Sequence, residues 1–301
     1  MVKLIECVPN FSEGRDADVI AALAAAAKSV ADAALLDYSS DADHNRSVFT
    51  LLGDPDGVAQ AAFLMCKTAR ELIDMTKHAG EHPRMGATDV IPFVPVRDCS
   101  MDECVAVSIK TAKRIYDELG IPVFLYEESC TSELRRNLAS IRRGGFEGMP
   151  EKLLSDEWAP DFGGRQIHPT AGVTAVGARK PLIAFNVNLN TPDVRVARRI
   201  ANAVRASGGG LPHCKAIGVM LADRNIAQVS MNMTDYESTP LYMAYEAVRA
   251  EAERRGVSIA GSEIVGLAPA KALLDCAGHY MKIENFDAHK QVLEYCLPDF
   301  I

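Results

Sequence analysis

Leu4-Ile5-Glu6-Cys7-Val8-Pro9-Asn10-Phe11 near the start and Leu182-Ile183-Ala184-Phe185-Asn186-Val187-Asn188-Leu189 in the second half read as one pattern used twice. In each, an apolar strand run turns polar and gives way to helical spacing. Val19, Ile20, Leu23, Ala26, Ala27 and Val30 follow the first, and Val194, Ala197, Ile200, Ala201 and Val204 follow the second. From Leu4 to Leu182 and from Asn10 to Asn188 the offset is the same 178 residues. Further along, strand-like segments 33–37 and 47–53 precede an amphipathic helix over 58–75, and 216–221 and 226–233 precede one over 241–254. Strands 91–96 and 262–266 close the two sets. The expected fold is therefore α/β in the α+β sense: two similar ferredoxin-like βαββαβ subdomains, residues 1–179 and 180–301, each a sheet with helices on one face, and a ligand cleft between them. Pro92 and Pro95 remove ladder donors, which predicts an edge or strand-end place for 91–96. A helix over 101–119, a strand over 123–126 and a Gly- and Pro-rich segment over 144–165 read as a connecting region.

The 301 residues are 48% hydrophobic and 24% charged, which excludes disordered and collagen-like classes. No apolar run nears the roughly 20 residues of a membrane span. Glu6 interrupts the short apolar start, so a secretory signal is not expected and a cytoplasmic location is. A net charge of -8 argues against a nucleic-acid or anionic-membrane partner, so any bound anion needs a local basic pocket. The eight cysteines form no C-x-x-C pair and read as reduced thiols.

Lys77 to Asp89, KHAGEHPRMGATD, concentrates titratable groups where regular structure cannot form. Gly80 ends the preceding helix and Pro83 pushes His82 toward an extended backbone, so His82 is presented on a loop beside Glu81 and Arg84 as a candidate proton shuttle. His78 to His82 also fits H-x-x-E-H, a zinc-protease pattern that needs a continuous helix, which Gly80 and Pro83 oppose. No metal is expected. Asp37 to Ser47 carries alternating acids but lacks the glycine and glutamate of a calcium loop, and reads as a tip between two strands. From Trp158 to Pro181 glycines permit close backbone approach to a planar ligand, while Arg165, Arg179 and Lys180 offer cations for carboxylates. No nucleotide-binding glycine loop occurs, so no nucleotide is expected.

Glu6 to Gly14 (ECVPNFSEG), Gly80 to Ala87 (GEHPRMGA), Trp158 to Gly163 (WAPDFG), Gly177 to Lys180 and Leu182 to Asn186 together resemble the glutamate formiminotransferase family, and the likeness continues through Asn225 to Ser230 and Val265 to Leu267. The resemblance implies transfer of a formimino group from N-formimino-L-glutamate to N5 of tetrahydrofolate, with release of L-glutamate, in histidine degradation. It places the catalytic proton donor at His82 and the folate-contacting stretch at Gly163, Gly164, Arg165, Gln166, Ile167, His168, Pro169, Thr170, Ala171 and Gly172. It implies tetrahydrofolate as co-substrate and a homodimer; with the chain ending at Ile301, the cyclodeaminase domain of animal members is expected to be absent. Many members carry an acid where Ser39 stands here, and Gly164 to His168 departs from the animal pattern. For substrate binding the candidates are Arg46 and Arg84 for carboxylates, Asp41 or Asp43 for the amidinium, and Asn10 and Asn188. A related enzyme acting mainly on 5-formyltetrahydrofolate, or a folate-binding protein, is the alternative.

Overall fold

A computed structural model describes residues 3–80 and 83–296. The chain divides into two compact units, Met1–Arg179 and Lys180–Ile301.

In the first unit, β1 (Leu4–Cys7) and β2 (Asn10–Phe11) are one strand interrupted at Val8 and Pro9. They lead through α1 (Ala17–Lys28) to the hairpin β3 (Ala33–Asp41) and β4 (Arg46–Gly53), then through α2 (Pro55–Leu72) to β5 (Thr88–Arg97). The broken strand lies between β4 and β5, and β3 flanks β4, all antiparallel. Side chains start the helices. The Asp16 carboxylate accepts from the amides of Asp18 and Val19, and Asp54 accepts from those of Asp56 and Gly57 ahead of Pro55. Ile5, Cys7, Phe11, Phe49 and Leu51 bury one sheet face against Leu23, Ala27, Val58, Ala62, Met65 and Ala69 of the two helices.

The region 101–178 belongs to this unit's sheet and is not a connector. Ser100 and Glu103 form a capping box that opens α3 (Met101–Leu119), and Gly120 ends it in the left-handed region at φ 69°. β6 (Val123–Glu127) and β7 (Thr174–Ala178) then add to β5 as parallel strands in the order β5, β7, β6. Parallel strands need cover on both faces. Here α3 packs on one, and Ile141, Met149 and Leu153, from α5 (Leu138–Arg142), α6 (Gly145–Lys152) and the residue after it, close the other over Phe124, Tyr126 and Ala175. The single turn α4 (Glu133–Arg136) precedes them.

β5 is thus internal, against the edge position expected from its prolines. Pro92 lies opposite Val8 in the interruption, where its carbonyl accepts the Val8 amide at 3.2 Å. It has no N–H to return to the Val8 carbonyl, and the Asn10 side-chain amide supplies that donor at 2.8 Å. Pro95 lies beyond Phe93, the last β5 residue paired with β7.

The second unit runs β8 (Ile183–Leu189), α7 (Val194–Val204), β9 (Cys214–Leu221), β10 (Ile226–Met233), α8 (Leu241–Glu253) and β11 (Ile259–Val265), in the antiparallel order β11, β8, β10, β9. This is the first unit's β5, β1/β2, β4, β3 order, as the repeat in the sequence requires. Ile183, Phe185, Val187, Leu189, Val229 and Met231 face Ala197, Ile200, Leu241, Ala244 and Val248. α9 (Ala270–Met281) adds Ala272 to that core. Among the described residues no helix is long and apolar enough to cross a membrane.

Candidate active site

The motif around His82 is held at both ends. After α2, the Asp74 carboxylate accepts from the Thr76 amide and hydroxyl, turning the chain so that the Met75 amide donates to the Thr170 carbonyl at 2.8 Å. The His78 ring then faces two ways. Its Nδ1 accepts from Arg84 Nε at 3.1 Å, so Nε2 carries the proton and donates to the Asn45 carbonyl at 2.9 Å. Asn45, at φ 49° in the tip of the β3–β4 hairpin, accepts at its side-chain oxygen from the Gly14 amide (2.9 Å) and donates to the Ala79 carbonyl (3.0 Å). Gly80 lies so close to this tip that a Cβ would come within 2.4 Å of the His44 carbonyl. His78, Ala79 and Gly80 are not helical, which removes the continuous helix a H-x-x-E-H zinc site needs. Glu81 and His82 lie outside the described residues.

On the far side, Arg84 grips Glu147 of α6 with Nη1–Oε2 at 2.9 Å and Nη2–Oε1 at 2.7 Å, and also donates to the His78 carbonyl. This pair, with the Arg84 N–H groups as its main cause, holds the Glu147 carboxyl below its ordinary value. Buried Asp89 accepts from the Met85 amide at 3.0 Å and from Arg142 of α5. Lys152 Nζ keeps α5 in place by donating to the carbonyls of Ser140 and Ile141 at 2.6 and 2.7 Å. Gly86 then bridges to Gly172: the Ala87 amide donates to Ala171 and the Val173 amide to Met85, at 3.0 and 3.1 Å. A Cβ on Gly86 would stand 2.1 Å from the Val173 carbonyl.

That bridge joins the end of the histidine motif to the end of the Gly163–Gly172 stretch. At its start, Gly163 adopts φ 116° against Pro122 and Tyr116, after Asp161, whose carboxylate accepts from the Leu125 amide and Arg135. Arg165 is exposed, paired with Asp156 and donating to the Leu154 carbonyl. Gly164, Gln166 and Pro169 are exposed, and Ile167 packs on the core. His168 turns the chain: its Nδ1 faces the Ala171 amide at 3.0 Å and its Nε2 faces Arg70 Nε at 3.2 Å. Burial, and next the Arg70 charge, push its pKa down.

Among the substrate-binding candidates, Asp41 accepts the His44 amide and ring, and the amide chiefly holds its carboxyl below the ordinary value. Asp43 is exposed at the same tip. Arg46 opens β4 opposite Asp41; its charged form is disfavoured first by burial and next by Arg142. Asn10 is on β2, and Asn188 is buried on β8 of the second unit, accepting from Gln228 at 2.8 Å. Residues 10–14, 41–46, 78–80, 83–87 and 168–172 therefore meet in the first unit. The sequence reading assigned nothing to Glu147 or Arg142, because neither stands in a motif and both act across long chain separations. Asp89 lay inside the quoted motif without a role. Glu6, which the sequence marked as a break in the apolar start, is half-buried, and burial raises its pKa against the opposing pull of Arg179. No group of three metal-ligating side chains forms among the described residues.

Two family models cover these units: the N-terminal subdomain of the formiminotransferase domain over residues 4–179, and the formiminotransferase domain over 184–297. The chain belongs to the formiminotransferase family, a family of transferases. It is 62% identical over 294 residues to a glutamate formimidoyltransferase of Streptococcus pyogenes serotype M1, covering 98% of each chain. A glutamate formimidoyltransferase of Thermoplasma acidophilum matches at 48% over 95% of each. With a formimidoyltransferase-cyclodeaminase of Dictyostelium discoideum the identity is 47%, over 95% of this chain and 54% of that one.

Proposed function

We propose that this chain moves the formimino group of N-formimino-L-glutamate to N5 of tetrahydrofolate and releases L-glutamate, with His82 moving the protons. The observation that supports this most is the tie between the flanks of His82 and the Gly163–Gly172 stretch through the Gly86–Gly172 bridge, in a chain 62% identical to a protein of that name.

The formimino carbon is most electrophilic as an amidinium. Attack by N5 gives a tetrahedral carbon bearing three nitrogens, and its collapse needs a proton on the departing glutamate nitrogen. His82 takes the N5 proton and returns it there. Positioned acid-base catalysis of this kind is worth roughly 10²- to 10⁴-fold, and joining two bound substrates contributes much of the rest. Asp41 is engaged by His44, so Asp43 is the acid for the amidinium. Arg84 is engaged by Glu147 and His78, so it acts as a positioning residue, and Arg46 meets a substrate carboxylate. Gly163 to Gly172 carries the folate. The substrate arises in histidine breakdown, and the chain works in the cytoplasm as a homodimer, which light scattering on the purified protein tests.

The deciding experiment is His82→Ala, assayed with both substrates at saturation. A fall in kcat of at least 10²-fold is expected; turnover within threefold of wild type overturns the assignment.

A further inference from the structure

The face of the second sheet that carries no helix is polar in an unusual way. Asn186 and Asn188 on β8 and Gln228 on β10 are 8%, 4% and 4% exposed. A solvated sheet face would leave such side chains in water; these three are buried and joined in one network through Glu263. Gln228 Nε2 donates to Asn188 Oδ1 at 2.8 Å and to Glu263 Oε1 on β11 at 2.7 Å, and Asn186 Nδ2 donates to the same Glu263 oxygen at 3.2 Å. Glu263 itself is exposed. Both amides converge on Oε1, while Oε2 accepts from no side chain among the described residues. The network therefore holds the carboxylate through one oxygen and leaves the second for another donor.

The first unit is an internal control. The 178-residue repeat and the strand registers set Val8, Asn10, Val48 and Pro92 at the places of Asn186, Asn188, Gln228 and Glu263. There the same βαββαβ frame is built with Val8, Val48 and Pro92, so the fold requires neither the amides of Asn186 and Gln228 nor the carboxylate, while Asn10 keeps the amide at the place of Asn188. Burying three amides costs free energy that mutual bonds only partly return.

We infer that Asn186, Asn188, Gln228 and Glu263 form a recognition site for a planar pair of N–H donors attached to one carbon. With Oε1 filled by the two amides, the carboxylate takes one N–H of such a pair at Oε2. Resting on the function proposed above, two groups have this chemistry: the amidine of formiminoglutamate, and the 2-amino-4-oxopyrimidine edge of the folate.

The test is Glu263→Gln in the full chain, with KM for formiminoglutamate and calorimetric affinity for 5-formyltetrahydrofolate as separate readouts. Loss of one charge-assisted hydrogen bond should weaken one affinity roughly 10- to 100-fold and leave the other within about twofold. Loss for formiminoglutamate assigns the amidine, and loss for the folate assigns the pyrimidine; either supports the site. Asn186→Val, which introduces the residue found at this place in the first unit, should shift the same affinity in the same direction. Two unchanged affinities overturn the inference, as does an equal loss of both accompanied by a lowered melting temperature, which would mark a structural network. Wild-type protein that fails to transfer the formimino group would instead overturn the function proposal alone.

Discussion

Arg84 and Glu147 meet fork to fork, with oxygen to nitrogen distances of 2.9 and 2.7 Å, and the third nitrogen of the same guanidinium holds His78 at 3.1 Å. One cation thereby fixes both the near and the far side of the motif. Lys cannot reproduce a planar fork. Arg84→Lys should cut kcat about tenfold or more with both KM values within threefold, and Glu147→Gln should reproduce part of that loss. Steady-state kinetics on the two variants checks this; a change confined to the KM for formiminoglutamate would return Arg84 to a substrate carboxylate.

Asn45 should be among the least replaceable residues of the hairpin. Ala in its place loses the bond to Gly14 and the bond to Ala79 and keeps the unfavourable positive φ. Stranding such buried groups costs about 1–3 kcal/mol. A urea titration of Asn45→Ala should show a drop of that size, and Asn45→Gly should recover only the backbone part.

Gly86→Ala places a methyl against the Val173 carbonyl at a distance no Cβ tolerates. Overpacking of this kind costs roughly 1–3 kcal/mol. The separation of the two strands should also lower folate affinity, which fluorescence titration measures alongside thermal melting. A variant with wild-type melting and wild-type affinity would show that the bridge yields freely.

His168 gives an acid-sensitive contribution. Its folded pKa lies below the ordinary 6.5, so as pH falls from 6.5 the unfolded chain takes up a proton that the folded chain resists. Stability from this source is full above pH 6.5 and declines below it, until the folded ring is protonated too. The cationic ring can accept from neither Ala171 nor Arg70. His168→Asn should flatten the melting temperature between pH 5 and 7 relative to wild type; parallel curves would remove His168 as the cause.

The twofold frame was legible because strand alternation and helical spacing recur at one offset, from Leu4 to Leu182, and both patterns are local. The position of β5 was not, because the tolerance of Pro92 depends on Asn10 completing a bond that only the folded register reveals. β7 was missed for a related reason: Thr174-Ala175-Val176-Gly177-Ala178 is short and small-sided, and becomes a strand by pairing with β5 and β6. The motif loop, its glycines and its proline announced a site. The partners that hold it did not, since Arg84 reaches Glu147 across 63 positions and Asp89 reaches Arg142 across 53, distances over which no periodicity operates.

The order in which strands join the first sheet matters during synthesis. A ribosome releases β5 long before the segment that becomes β7, so for that interval one border of β5 has no neighbour. A bare strand border invites pairing with other nascent chains. Pro95, two residues past Phe93, whose carbonyl accepts the Arg179 amide, turns its ring nitrogen to that same border and denies such a stranger a hydrogen bond, so a residue that looks misplaced in the finished sheet protects it while it is being made.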